Sequence, residues 1–469
     1  MNQKTLVAFA FSLIILLAFL KLGQHPLSPW DESRNAINAL EMLQNGDWLN
    51  LHFCGQPDTW SFKPPLFIWC VVFSFKLLGF NELALRLPSA LAILTLFIFT
   101  FKIITLYRSA TFAALTCLLL ASVKGLIGWH VGRTGDFDAL LACLLVASVF
   151  HFLRFVDFDK KNGALLAGLC IGLAYLTKGP AAAVLLPGML LYAVFSKKTN
   201  PILKTKATWA GAAIALAFPL SWGFVQEIWG KKSAASTSSD QLFTVDLLKR
   251  FTQPADGWKS AFDPSFFFYS LDKSFNLWHF VFFGFLAFGL VLLAKNKAQT
   301  WAKLRSKYNR LLLLSICLYL PLTLFLVIAA KSNRWYLAPT LPFVGIATFW
   351  GIRHFWLKLA WIKWAYLILL AFTIGRQFVL FWQVPPKPDL ATKFNPVFSQ
   401  AETIVVANRM EQDLLAYLYF FGKKMRFGSI DLKPGEVLVA NKKEWPSQLP
   451  TTWKKSGETD IWVIFTLEN

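Results

Sequence analysis

Charge is scarce in this 469-residue chain: 16% of residues are Asp, Glu, Lys or Arg, against about 25% in ordinary soluble domains. That deficit leaves too little polar surface to cover a water-soluble globule. It overrules the two or three soluble domains that length alone would allow. Acids are scarcest, with 26 Asp and Glu against 47 Lys and Arg. The resulting net charge of +21 invites a nucleic-acid reading. The basic residues cluster in short gaps between apolar runs, however, which is the pattern of membrane topology. No CxxC spacing occurs among Cys54, Cys70, Cys117, Cys143, Cys170 and Cys317, and five of them sit in or beside apolar runs. Neither a disulfide framework nor a Cys-based zinc site is implied. The six histidines form no HExxH or similar pair; His52, His130 and His279 are the ones worth testing for metal. Internal repeats and low-complexity tracts are absent.

What the chain does have is apolar length. It is 56% hydrophobic, with 46 Phe and 20 Trp. A helix crossing the hydrocarbon core needs about 20 mostly apolar residues. Eleven segments meet that requirement, near 5–22, 88–107, 109–127, 138–154, 162–178, 180–196, 207–226, 274–294, 311–330, 336–353 and 362–381. The first is read as an uncleaved span, because it follows a single Lys4 and lacks a small-x-small cleavage site. The run 66–79 is apolar over only about 14 residues and contains Lys76, so it is read as a juxtamembrane or re-entrant helix. Residues 34–44 form a second short amphipathic stretch at the interface.

Charge orients the bundle. The loops 154–161, 197–206, 295–310 and 353–363 hold sixteen Lys and Arg, opposed only by Asp157 and Asp159. The positive-inside rule assigns them to the cytoplasm. With an internal N-terminus and 66–79 not crossing, all four fall on one side. The other side then carries the loop 23–87, a short loop near 128–137, a long loop near 227–273 and the turn 331–335. The expected architecture is an all-α polytopic membrane domain, 1–383. A small extracytoplasmic α/β domain follows over 384–469, with strand-like patches at Glu402–Val406 and Ile461–Phe465.

The chemistry-bearing motifs lie on that outer side. Pro29-Trp30-Asp31-Glu32-Ser33-Arg34 places two carboxylates and an Arg at the mouth of a span, where charge is costly unless solvated or paired. A helix cap at Asp31 is the alternative to catalysis. Phe62-Lys63-Pro64-Pro65 holds Lys63 at headgroup level, either as a snorkelling side chain or as a phosphate contact. Gly132-Arg133-Thr134-Gly135-Asp136-Phe137-Asp138 offers two acids at the start of an apolar helix, although two carboxylates alone specify no metal. Lys178 in Leu176-Thr177-Lys178-Gly179-Pro180 needs an anionic partner at its depth. The turn Lys331-Ser332-Asn333-Arg334-Trp335-Tyr336 adds another cation and a Tyr. Carboxylates, Lys63, Lys178 and Arg334 all belong to one membrane face, a set suited to binding a lipid phosphate while an acid serves as base.

Taken in order, DE-x-R, KPP, the stretch Asn81 to Ala90 (N-E-x-A-x-R-x-P-S-A), GDFDALL, LTKGP and the turn Arg334 to Pro342 resemble the GT-C integral-membrane glycosyltransferases of the aminoarabinose-transferase and protein O-mannosyltransferase type. The resemblance covers roughly residues 1–350. It implies a sugar donor linked to polyprenyl phosphate and a lipid (lipid A-like) or protein acceptor. It also implies an inverting displacement on the periplasmic, extracytoplasmic face of the inner (plasma) membrane. Among the residues, it implies Asp31 as catalytic base or donor-site acid with Glu32 assisting, and Asp138, with Asp136 as rival, as the second acid. Lys63 would contact the donor phosphate, with Arg34, Lys178, Arg334 and Tyr336 as further contacts. Many relatives carry Glu directly before the KPP lysine where this chain has Phe62, so no metal role of that Glu carries over. A divalent metal stays possible and unassigned. The rival reading is a transporter or flippase of polyprenyl-linked sugars, which usually gathers its polar groups at the midplane of repeated halves.

Overall fold

The computed structural model describes residues 2–58, 60–61, 63–230, 264–328, 333–408, 410–428, 432–443 and 452–467. Phe62, most of the loop 227–273, Lys331 and Ser332 lie outside the described residues. The chain divides into two compact units. The first comprises Met1–Leu20, Ser89–Arg133 and Phe137–Trp382; the second comprises Lys21–Pro88, Thr134–Asp136 and Gln383–Asn469.

The first unit is helical, and each of the eleven segments read as spans contains a helix. Six helices are long and apolar enough to cross a membrane: Glu82–Thr105, Phe137–Val156, Asn162–Ala183, Lys206–Trp229, Arg310–Val327 and Ala360–Trp382. Of the others, three are shorter than their apolar runs because punctuation residues break them. The run 109–127 yields Ala110–Ala121 and then a separate turn, Lys124–Ile127. Between them the Ser122 carbonyl is taken by Asn276 Nδ2 at 3.0 Å and its hydroxyl by Trp278 Nε1 at 2.8 Å. The run 180–196 opens with a 3₁₀ turn, Gly179–Ala183, before Leu186–Phe195. Gly179, at φ +57°, supplies the positive-φ stop that ends the helix before it. Likewise the run 336–353 begins with a 3₁₀ turn, Arg334–Leu337, and Pro342 opens the helix Leu341–Trp356 in the first turn, where proline costs least.

Two contacts show how a bundle without a hydrophobic drive between its helices is held. At the loops assigned to the cytoplasm, Asp157 accepts from Arg310 at 2.6 Å, from the Tyr107 hydroxyl at 2.5 Å and from the Tyr192 hydroxyl. One acid thus joins four helical segments. Along Asn162–Lys178, small residues let the backbone of Lys206–Trp229 approach closely. A Cβ on Gly168 would lie 2.0 Å from the Gly211 carbonyl oxygen, and one on Gly211 would lie 2.3 Å from that of Ala164. Replacing Gly168 by Leu should therefore force this pair apart and cost about 1–3 kcal/mol. The cost would be read as a lowered thermal midpoint in detergent. Gly223→Leu on the same partner helix is the control, since nothing lies within 4 Å of a Cβ there.

The second unit combines the loop read as external, 23–87, with the C-terminal segment. Its loop part contains the helices Asp31–Asn45 and Leu66–Leu78. The latter has 13 residues, short of the roughly 17 that a span needs. The C-terminal part carries a five-stranded sheet of β1 (Thr403–Val406), β2 (Lys424–Phe427), β3 (Glu436–Asn441), β4 (Trp453–Glu458) and β5 (Trp462–Leu467), in the order β2-β1-β3-β5-β4. β1 pairs in parallel with both β2 and β3, which requires a crossover, and the helix Gln412–Phe420 supplies the one from β1 to β2. That helix fastens the sheet to the external loop. The Tyr417 hydroxyl accepts from Leu27 N–H at 3.0 Å and donates to Glu82 at 3.1 Å, while the Tyr419 hydroxyl donates to Glu41.

Candidate functional site

In the second unit the DE-x-R motif starts a helix, but its two acids have opposite environments. Glu32 is buried to 1% exposure. Arg86 grips it at 2.6 and 2.9 Å, and it also accepts the Ser28 N–H at 2.7 Å and the Gly135 N–H at 2.9 Å. Burial alone would raise its pKa. The Arg86 charge, the Arg86 hydrogen bonds and the two backbone donors outweigh that and hold the carboxyl below its ordinary value. The remaining Arg86 donors go to the carbonyls of Leu22, His25 and Pro26. The Asn35 amide donates to the Gly135 carbonyl at 2.8 Å, and a Cβ at Gly135 would strike Leu85 at 2.6 Å. With its oxygens committed to four donor groups, Glu32 is suited to positioning rather than to taking a substrate proton.

Asp31 differs. It is half-buried and has no hydrogen bond or ion pair among the described residues. The expected cap is not made either, because the helix starts from Trp30 with no side-chain cap bond. Trp30 is exposed and has φ +72°. For a bulky residue that is strain of order 1–3 kcal/mol, of the kind that clusters at active sites. The Glu32–Gly135 bond ties the GDFD turn to this helix, and the Asp136 and Asp31 carboxylates offer oxygens within 4.8 Å of each other. Two carboxylates so placed could share a divalent cation, although two carboxylates do not select one.

Arg34 is diverted from its expected phosphate contact. It forms a two-pronged pair with Asp58 at 2.8 and 2.6 Å and lies over the Phe53 ring at 4.2 Å. Against burial, which raises it, the Arg34 bonds and charge hold the Asp58 carboxyl below its ordinary value. A guanidinium so matched has little left for a phosphate. Lys63 stands half-buried before the helix Leu66–Leu78.

Glu41 behaves in the reverse sense from Glu32. Burial, the largest influence, raises its pKa despite the bonds from Tyr419 and Gly55, and its second oxygen is buried with no partner. A raised folded pKa favours folding fully below the ordinary carboxylate range, and that contribution is lost as pH rises through the raised value. Glu41→Gln should therefore flatten the fall in stability above that value, with a thermal midpoint at pH 8 equal to or above the wild type's. A lower midpoint would show that the ionised carboxylate is the stabilising form. Glu32 and Asp58 act oppositely, their contributions disappearing as pH falls.

In the first unit the structure brings together Asp138, Lys178 and Tyr336. Asp138 lies in the first turn of Phe137–Val156, and Lys178 ends Asn162–Lys178. The Lys178 ammonium donates to both Asp138 oxygens, at 2.6 and 2.7 Å, and lies 5.1 Å from the Tyr336 ring centre. Arg133, from the same glycine-rich turn, serves the fold: it donates to the Leu17, Ala18 and Leu20 carbonyls at the C-terminal end of Gln3–Phe19 and stacks on Phe381.

Arg334, one turn from Tyr336, belongs to a group of cations. Lys124 experiences the charges of Arg376, Arg334 and Lys273. Among the described residues Lys124, Arg334 and Arg376 have no ion-pair partner, and Lys273 has only a 3.8 Å contact with Asp272. The elements carrying these cations are tightly packed. A Cβ on Gly125 would lie 2.8 Å from Ser274 Cβ, and the Ser274 hydroxyl donates to the Arg334 carbonyl at 3.3 Å. Apart from Asp272, no carboxylate is paired with these cations among the described residues.

The three histidines considered for metal each have a near neighbour in their own unit. His130 stacks on Trp335 at 4.0 Å, His52 Nδ1 meets the Asn50 carbonyl at 3.1 Å, and His279 Nδ1 meets the Asn276 carbonyl.

Comparison with known proteins bears on the fold. Residues 62–222 match the family described as dolichyl-phosphate-mannose-protein mannosyltransferase. The undecaprenyl phosphate-alpha-4-amino-4-deoxy-L-arabinose arabinosyl transferase of Aeromonas hydrophila is 31% identical over 225 residues, 46% of this chain and 40% of its own length. Its namesake from Yersinia enterocolitica is 28% identical over 257 residues, 53% and 43% of the two chains. The chain thus spans about two-fifths of the length of these curated relatives. Crystal structures of ArnT from Cupriavidus metallidurans, in the apo state and bound to undecaprenyl phosphate, align with TM-scores of 0.71 and 0.68 at 15% identity, over 98% of this chain and 97% of theirs. The chain has the ArnT fold.

In this ArnT-like chain the motif reading found the acids but missed several of their partners. Arg86 stood in the quoted N-E-x-A-x-R stretch without a role. Lys124 and Arg376 were concealed inside the segments 109–127 and 362–381, although a cation within an apolar run is itself a signal.

Proposed function

We propose that the chain is a glycosyltransferase that moves a sugar from a polyprenyl-phosphate carrier to a hydroxyl or phosphate of a lipid or protein acceptor, outside the cytoplasm. Asp31 is the base. The observation that carries this is the contrast at the head of one helix, where Glu32 is consumed by Arg86 and two backbone donors while Asp31 has no partner among the described residues. A carboxylate left so can take a proton from the attacking group as the anomeric bond to phosphate breaks. Lys124, Arg334 and Arg376 stabilise the charge gathering on the departing polyprenyl phosphate. Asp138 and Lys178 act as a pair, the lysine fixing the orientation of the acid. Eleven crossings put the acids on the extracytoplasmic side, with 384–469 as a domain on that side. The names of the matched relatives, which include transfer from undecaprenyl phosphate, support the donor class.

Full-length protein in vesicles, given polyprenyl-phosphate sugars, tests the proposal when glycolipid and protein products are read by mass spectrometry. Absence of transfer from every such donor would overturn it. A sharper prediction concerns the cations. Lys124→Gln combined with Arg334→Gln should raise KM for the donor at least about tenfold, since each contact of a charged group with phosphate contributes roughly 1.5–3 kcal/mol. The thermal midpoint should be unchanged or higher, because like charges repel. An unaltered KM would remove these residues from the donor site.

A further inference from the structure

A second basic site lies in the helical unit, where the loop after Glu82–Thr105 meets the end of Leu341–Trp356. A cavity of about 220 Å³ is lined there by Arg108, Tyr308, Trp350, Arg353 and His354 over an apolar floor that includes Phe112. We propose that this cavity binds the headgroup phosphate of an anionic phospholipid, in the leaflet faced by the cation-rich loops 295–310 and 353–363.

Arg108 is the central residue. Its guanidinium lies 3.4 Å from the Tyr308 ring centre, and its Nε is buried with no hydrogen-bond partner. An arginine flattened against an aromatic ring keeps its edge donors directed outward, the geometry that suits phosphate oxygens. Arg353 brings a second guanidinium into the lining, at 5.5 Å from the Trp356 ring centre. Among the described residues, no carboxylate lines the cavity. Its net positive charge is therefore uncompensated, which distinguishes two classes of lipid. A zwitterionic headgroup would bring an ammonium for which the lining has no acid, and the Tyr308 face is already covered by Arg108. An anionic headgroup brings only the phosphate. The floor of Phe112, Leu115 and Phe349 suits the glycerol backbone and first methylenes beneath it.

The site is independent of the sugar-transfer reading. Its residues come from loops assigned to the face opposite the acids, and none of them has a role in the proposed chemistry. Basic pockets between spans on the cytoplasmic side are a recurring device for lipid headgroups.

The test is native mass spectrometry of the purified full chain released from vesicles of phosphatidylglycerol and phosphatidylcholine in equal amounts. The wild type should retain phosphatidylglycerol. Arg108→Gln with Arg353→Gln should lower its retention roughly tenfold or more, as expected for losing two cations near a lipid phosphate. Arg108→Lys with Arg353→Lys, which keeps the charge, should restore most of it. Lys295→Gln, outside the cavity, should change nothing. Equal retention of phosphatidylcholine would overturn the proposal, as would a Gln pair that holds phosphatidylglycerol like the wild type. Displacement by equimolar polyprenyl phosphate would give the cavity to the isoprenoid and overturn it equally. The thermal midpoint of the Gln pair in detergent separates lost binding from lost fold.

Discussion

Asp31→Asn is expected to lower the rate of sugar transfer by roughly 10²–10⁴-fold, the usual contribution of a positioned general base, while leaving the thermal midpoint unchanged. The second half of that expectation gives the experiment its force. Asp31 has no hydrogen bond or ion pair among the described residues, so a neutral isostere removes nothing that holds the helix. The Trp30 backbone strain beside it is also untouched. A structural role would show as a lower midpoint with proportionate loss of active protein. A catalytic role shows as lost kcat at constant fold and nearly constant donor KM. Near-wild-type turnover would remove Asp31 from the chemistry, and Asp136, whose carboxylate lies within 4.8 Å of it, would become the next acid to test.

The sequence was most legible where a single periodicity or a single length decided the outcome. Hydrophobic length located a helix in every segment read as a span, and the short run 66–79 became the 13-residue helix Leu66–Leu78. Legibility failed where local punctuation competes with hydropathy. Ser122, Gly179 and Pro342 break apolar runs that hydropathy alone reads as continuous. In the C-terminal segment the buried strands β1 and β5 were visible as apolar patches. β4, with the sequence WKKSGE, was not, because an edge strand facing solvent has no apolar alternation to display. For the site, the motifs gave the acids and cations but not their pairing. Glu32 and Arg86 are 54 residues apart, and Arg34 and Asp58 are 24 apart. Nothing in residue type says which carboxylate is consumed by a neighbour and which is left for substrate. That distinction is tertiary.

The Arg86–Glu32 pair carries the largest stability effect to be expected here. Both side chains have no exposed surface. Arg86 also closes three carbonyls, those of Leu22, His25 and Pro26. Replacing Arg86 by Met leaves a buried carboxylate whose charge is no longer matched, a loss of about 3–5 kcal/mol for a broken buried pair. The three orphaned carbonyls add to it. The variant should fail to accumulate, or should melt far below the wild type, and its carboxyl should take up a proton. Adding Glu32→Gln to Arg86→Met removes the stranded charge, so the double variant should recover a large part of the loss. It cannot recover all of it, because Gln retains one carbonyl oxygen for the Ser28 and Gly135 donors and does nothing for the three carbonyls. Recovery without activity would then be informative. The clamp would have been shown to set the direction in which Asp31 faces, since the double variant keeps Asp31 itself intact. If the single and double variants melt together, the charge of Glu32 is not what Arg86 stabilises, and the carbonyl contacts alone hold this corner of the fold.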